Sequence, residues 1–169
     1  MRQTRIATFL IVSLVYFTTS VVFADNPHYR RGPTVVDNGF TATATGSVTG
    51  LGNGDVIVTL NFPNATGTTV CTNQGGTEAP GQNPATPAAT SGTVFVNNPK
   101  NGNLSFTVTT DPPPNPSAAA AGCPNARTWT ARFDNITFGC GTIVIQQETF
   151  QGSGVFEVVL TTNVCLSPN

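Results

Sequence analysis

The chain has 169 residues, seven Lys and Arg against eight Asp and Glu, and a formal net charge of −1. Only 9% of its residues are charged, against about 25% in an average globular protein. This balance carries no cationic excess to neutralise a phosphate backbone, so nucleic acid is not an expected partner. No block of like charge forms an acidic or basic tail.

Residues 1–24 read as a secretory signal peptide. Arg2 and Arg5 supply the positive start, Ile6 to Val15 is mostly apolar, and Val22-Phe23-Ala24 offers small residues at an expected cleavage point after Ala24. Ser13, Thr18, Thr19 and Ser20 interrupt the apolar run, which falls short of the roughly 20 residues of a bilayer crossing. The expected product is therefore exported and not membrane-spanning. Cleavage takes away 24 of the 169 residues and leaves 145, removing two of the seven cations and none of the eight acids, so the net charge moves from −1 to −3. A chain of that size supports one domain that buries about two-thirds of its unfolded surface.

Residues 25–39 read as a polar lead, and the domain proper is expected over 40–165, with 166–169 as a tail. From Phe40, apolar and small residues alternate with Thr41, Thr43, Thr45, Ser47 and Thr49, the period of two of a half-buried strand. The Gly50 to Asp55 segment is turn chemistry, and Val56, Val58, Leu60 and Phe62 alternate beyond it, which predicts a hairpin. Thr68 to Cys71 is short and β-prone. Residues 72–92, with Gly75-Gly76, Pro80-Gly81, Pro84 and Pro87, read as a long loop rooted at Cys71. Strands return at Thr93 to Val96 and Leu104 to Thr109. The Asp111 to Pro116 run stops the second and imposes an extended, polyproline-like path. Ala118 to Ala121 is too short for a stable helix. Trp129, Ala131 and Phe133 alternate, Ile136 to Gln147 reads as one long strand bent at Gly139-Cys140-Gly141, and Val155 to Val164 closes the pattern.

Seven to nine short strands without an amphipathic helix predict an all-β fold, an immunoglobulin-like two-sheet sandwich, with a small β-barrel as the alternative. The expected core is Phe40, Val48, Val56, Val58, Leu60, Phe62, Phe95, Leu104, Phe106, Val108, Trp129, Phe133, Ile136, Phe138, Val144, Phe156, Val158 and Leu160. Four cysteines, Cys71, Cys123, Cys140 and Cys165, in an exported chain read as two disulfides with three possible connectivities. The pairing expected is Cys71–Cys123, which both open loop-like stretches, and Cys140–Cys165, on the last two strand-like segments. No two cysteines have zinc-site spacing.

The catalytic inventory is thin, and no enzyme is predicted. The sole histidine, His28, stands near the expected mature N-terminus, a poor place for a triad base. No phosphate loop, dinucleotide glycine pattern or nucleophile elbow occurs. A carboxylate pair drawn from Asp55, Asp111, Asp134, Glu148 and Glu157 would make a glycoside hydrolase the alternative. These acids read more simply as turn and strand surface charges, with Asp55, Asp134 and Glu148 in turns. Asn53, Asp55, Asp111 and Asp134 are hard-oxygen donors for calcium, but no loop concentrates three acids, so neither metal nor cofactor is expected.

The Thr41-x-Thr43-x-Thr45 ladder presents hydroxyls on one strand face, as some ice-binding surfaces do, although threonine suits any exposed strand. Trp129 and Tyr29, the only Trp and Tyr after cleavage, give little stacking surface for a lectin. Sequons at Asn64, Asn103 and Asn135 matter only in a eukaryotic secretory route. Arg30-Arg31 reads as a solvated pair or a processing site.

The runs Cys71-Thr72-Asn73, Ala79 to Pro84 and Lys100 to Val108, with Cys123-Pro124-Asn125 and Trp129-Thr130, resemble a set of small exported bacterial all-β proteins over residues 40–165. The resemblance implies export and a shared loop, and no activity. The reading is a secreted, non-catalytic binding or structural module whose partner is an extracellular protein or glycan. Its alternatives are a carboxylate hydrolase and a self-associating surface or matrix protein. The expected binding face is loop 72–92 together with 111–126, around Asn73, Gln82, Asn83, Asn115 and Asn125. Polyproline-like segments lose little entropy when immobilised, and binding residues often sit on loops over a rigid scaffold.

Overall fold

The computed structural model describes residues 26–87 and 90–166. The expected signal peptide and residues 167–169 of the tail lie outside the described residues. Among the described residues ten strands follow in order: β1 His28–Asp37, β2 Ala42–Thr49, β3 Val56–Asn61, β4 Thr66–Asn73, β5 Glu78–Pro80, β6 Ser91–Val96, β7 Leu104–Thr109, β8 Trp129–Thr137, β9 Cys140–Glu148 and β10 Phe156–Cys165. One short 3-10 turn, Lys100–Gly102, separates β6 from β7.

The strands form three antiparallel sheets, in the orders β1-β2-β7, β10-β9-β3-β6 and β5-β4-β8. The all-β sandwich with two disulfides is therefore present, with three sheets where two were expected. The inner faces of the first two sheets meet in one apolar cluster. Ala42, Ala44, Val48, Leu104, Phe106 and Val108 come from one side, and Val56, Val58, Leu60, Ile143 and Ile145 from the other.

The third sheet continues the second around a corner. β3 pairs with β9, and β4, the next strand, pairs with β8, the strand before β9. One antiparallel ribbon thus runs from the four-stranded sheet into the three-stranded one, turning at residues 62–65 and 138–139. Phe62 and Phe138 occupy the bend, 0% and 1% exposed, with ring centroids 5.2 Å apart in an edge-to-face arrangement. Gly139 takes φ +66°, and a Cβ on Gly141 would stand 2.3 Å from the Asn61 carbonyl oxygen. The glycine pair that reads as a bend in sequence is this corner, and the predicted long strand is β8 and β9 in different sheets.

The two faces of the sandwich also meet along one edge. The Asp111 N–H donates to the Ser91 carbonyl (2.9 Å) and the Thr110 N–H to Ala42 (2.9 Å). Buried Thr110 returns its hydroxyl oxygen to the Ala42 N–H at 2.9 Å, so both main-chain groups of Ala42 find partners where the ladder ends.

Several expectations are corrected. Residues 25–39, read as a loose lead, hold β1, an edge strand paired with β2. Loop 72–92 contains β5 and the start of β6. Phe40 (44% exposed), Phe95 (51%) and Val158 (58%) are not core, and Trp129, Val144, Phe156 and Leu160 are only half-buried. For Phe95, Val144, Phe156 and Val158 the cause is strand phase, because a one-residue shift exchanges the two faces, whereas Phe40 precedes β2, Trp129 opens β8 and Leu160 still packs against the core. The bend at Gly139 resets β9, so Ile143 and Ile145 point inward and Val144 outward. A bulge between Val158 and Leu160 does the same in β10. In β6, Val94 and Val96 pack on the core and Phe95 faces out.

Candidate functional site

Cys71 and Cys123 form one disulfide and Cys140 and Cys165 the other, as the sequence led us to expect. The first joins the two segments singled out as a binding face. Cys71 is buried on β4, and Cys123 ends a tight turn in which the Ala121 and Cys123 N–H groups donate back to Ser117 and Ala118. The 81–85 stretch lies on that turn. The Gly81 N–H donates to Thr69 (2.8 Å), Asn83 to Ala121 (3.2 Å), and Gly67 and Ala85 exchange two hydrogen bonds (2.8 and 3.0 Å). Gly122, at φ +68°, has the Asn83 side chain 2.9 Å from where a Cβ would stand. Two connections distant in sequence thus become one platform along the β4 edge of the third sheet.

The candidate polar residues build this platform more than they decorate it. The Asn73 side-chain oxygen accepts from the Gly75 and Thr77 N–H groups, both at 2.9 Å, and folds the β4–β5 turn. Asn125 accepts from Arg127 at 2.9 Å, and its carbonyl receives the Thr128 and Trp129 N–H groups. Asn115 accepts from the Phe133 N–H at 3.4 Å, tying the proline run to β8. The Gln82 side chain reaches back to the Pro80 carbonyl at 3.3 Å. Left outward are exposed Gln74, Gln82 and Arg127, and a charged row in which Arg132 lies 3.2 Å from Glu78 and 3.8 Å from Asp134. All three members of the row are about half-exposed, so the row is worth little to stability and leaves charge facing solvent.

The other acids take separate positions. Asp111 and Glu157 are exposed. The Asp55 carboxylate accepts the Asn98 N–H at 2.9 Å, joining two loops. Glu148, read as a turn charge, is 6% exposed at the end of β9, a correction with a clear cause. Its carboxylate is the nucleus of the β9–β10 turn and accepts N–H groups from Gly154 (2.6 Å), Gly152 (3.0 Å) and Asp55 (3.5 Å). Those donors, Gly154 first and Gly152 next, hold its pKa below the usual glutamate value. A glycosidase general acid needs the opposite displacement. Among the described residues, no group of three or more His, Cys, Asp or Glu is placed to hold a metal ion, and no helix is long and apolar enough to cross a membrane.

The threonine ladder has a partner the sequence did not announce. Thr43 faces Thr109, Thr45 faces Thr107 and Ser47 faces Ser105 across β2 and β7, and the Thr43 and Thr109 hydroxyls lie 2.9 Å apart. Beside this array, Arg30 and Arg31 line a cavity of about 520 Å³. In sequence the pair reads as a loose solvated feature. The available signal was Gly32-Pro33 directly after it, because Gly and Pro inside a strand mark a bulge.

Comparison with protein-family models, with curated proteins and with solved structures finds no match.

Proposed function

We propose that this chain is an exported β-sandwich module that binds an extracellular protein or glycan through the platform formed by 72–87 and 111–128. One observation carries the reading. Cys71–Cys123 and the hydrogen bonds around Gly81 and Asn83 rigidify two long connections that would otherwise lose much conformational entropy on binding. The outward Gln74, Gln82, Arg127 and Arg132 then offer polar groups on a pre-set surface. Two disulfides agree with an oxidising compartment. The test is a glycan and protein array probed with the oxidised mature chain and with a Gln74→Ala, Gln82→Ala, Arg127→Ala variant. A ligand retained by the parent and lost by the variant supports the platform, and equal binding by both removes it.

A second reading, self-association, is favoured by the outer face of the four-stranded sheet. Phe95 and Val158 are more than half exposed there, and the Phe95 and Phe156 rings meet edge-on at 6.2 Å. Exposed apolar patches of this kind mark contact surfaces. Mass measured by light scattering over a concentration series tests it. A dimer that reverts to monomer with Phe95→Ser supports the reading, and a monomer at every concentration removes it.

A further inference from the structure

We infer that the cavity beside the β1 bulge is a second binding site, independent of the platform, for an acidic saccharide: a polyhydroxylated ring bearing a carboxylate or sulfate. β1 takes five steps, Tyr29 to Thr34, where its partner β2 takes three, Val48 to Thr45. Two extra residues are therefore looped out of β1. In a regular strand successive side chains point to opposite faces. Here the double bulge places consecutive Arg30 and Arg31 along the lining of one cavity of about 520 Å³, the kind of re-aiming that bulges perform next to binding sites.

The charge is unspent. Among the described residues both ion pairs belong to Arg132, and no carboxylate lines the cavity. Two guanidinium forks with no internal partner match a planar or tetrahedral oxyanion. The walls carry the Thr34, Thr45, Ser47 and Ser105 hydroxyls, each able to donate and accept, which suits ring hydroxyls. Val48, Leu104 and Phe106 also line the cavity, with their side chains largely buried in the core.

Charge arithmetic sets the size of the ligand. Two arginines suit one or two oxyanions and fall short of the many contacts that hold a long polyanion. An acidic peptide is the competing class. It would dock by adding a strand to the edge presented by β1, and the double bulge breaks the regular row of main-chain groups that strand addition needs.

The test is isothermal titration of the oxidised mature chain with five probes: an oligogalacturonate, a heparin oligosaccharide of the same length, a neutral malto-oligosaccharide, a poly-glutamate peptide and sodium sulfate. One or both acidic sugars should bind, more weakly as salt rises, and the oligogalacturonate and heparin arms separate carboxylate from sulfate. Arg30→Gln with Arg31→Gln should weaken binding about tenfold or more. Thr45→Phe, at an exposed strand position, should block the cavity without touching its charge. Circular dichroism confirms that both variants are folded. Neutral sugar binding as well as acidic, peptide preferred over sugar, sulfate matching the oligosaccharides, no binding by any probe, or full binding by both folded variants would each overturn the inference.

Discussion

The ribbon corner gives the sharpest test of how this fold is held together. Phe138→Ala removes a ring that is 1% exposed and meets Phe62 edge-on at 5.2 Å. A buried phenylalanine truncated to alanine costs about 3–5 kcal/mol, part from lost transfer free energy and part from the cavity left behind. The cavity part should be large here. The backbone on both sides of the ring is held by strand pairing, β3 with β9 and β4 with β8, so the walls relax little. Against a total of about 5–15 kcal/mol for a domain of this kind, the loss should lower the guanidinium midpoint markedly. Phe62→Ala, Phe138→Ala and the double variant form a cycle whose coupling should be about 0.5–1.5 kcal/mol, the worth of an aromatic pair beyond its burial. Guanidinium unfolding of the oxidised proteins, followed by far-ultraviolet circular dichroism and by the fluorescence of the single Trp129, measures each corner of the cycle. A Phe138→Ala loss under about 1 kcal/mol, or single losses that add to within about 0.3–0.5 kcal/mol, would show that strand pairing alone sets the bend and that the ring contact does not.

Three further outcomes are expected. The Glu148 pKa is lower in the folded protein than its unfolded value of about 4.3, so its stabilisation is present above that pH and fades as pH falls through the folded value. The thermal midpoint of the parent should therefore drop more steeply on acidification below about pH 5 than that of Glu148→Gln, and parallel curves would contradict the assignment. Cys140 and Cys165 are exposed whereas Cys71 is 0% exposed, so mild reductant followed by alkylation and mass spectrometry should label Cys140 and Cys165 first. Loss of Cys71–Cys123, which spans 52 residues, should then cost about 4 kcal/mol by loop-closure entropy, read as a shift in chemical denaturation. Thr110→Val keeps the shape but strands the buried Ala42 N–H that the hydroxyl accepts, which should cost about 1–3 kcal/mol. Thr110→Ser should recover most of that loss.

Much of this protein is legible along the chain because its determinants are local. The alternation in 42–49, 56–61 and 104–109 marks strands that the structure places within a residue or two, and turn residues mark their ends. The expected cysteine pairing, between the two cysteines that open loop-like stretches and between the two on the last strand-like segments, is the one observed. Legibility stops where phase is reset by a feature longer than the alternation itself. Val144 and Val158 continue a run of two correctly read on paper, but the Gly139 bend and the β10 bulge shift the count by one and exchange the faces. Glu148 reads as a surface charge because nothing in its neighbours announces that the Gly152 and Gly154 N–H groups will close on it.

The amino-acid sequence by itself determined the class of fold, the even cysteine count behind two disulfides and an expected route out of the cytoplasm, since period, cysteine content and leader chemistry are read a few residues at a time, whereas the pairing of those cysteines was fixed by the structure. Tertiary structure alone decided the third sheet, the meeting of residues 81–85 with the 118–123 turn, and the cavity lined by Arg30 and Arg31. Those depend on which strands pair and in what register, a choice made by burial across the whole core and written in no single segment.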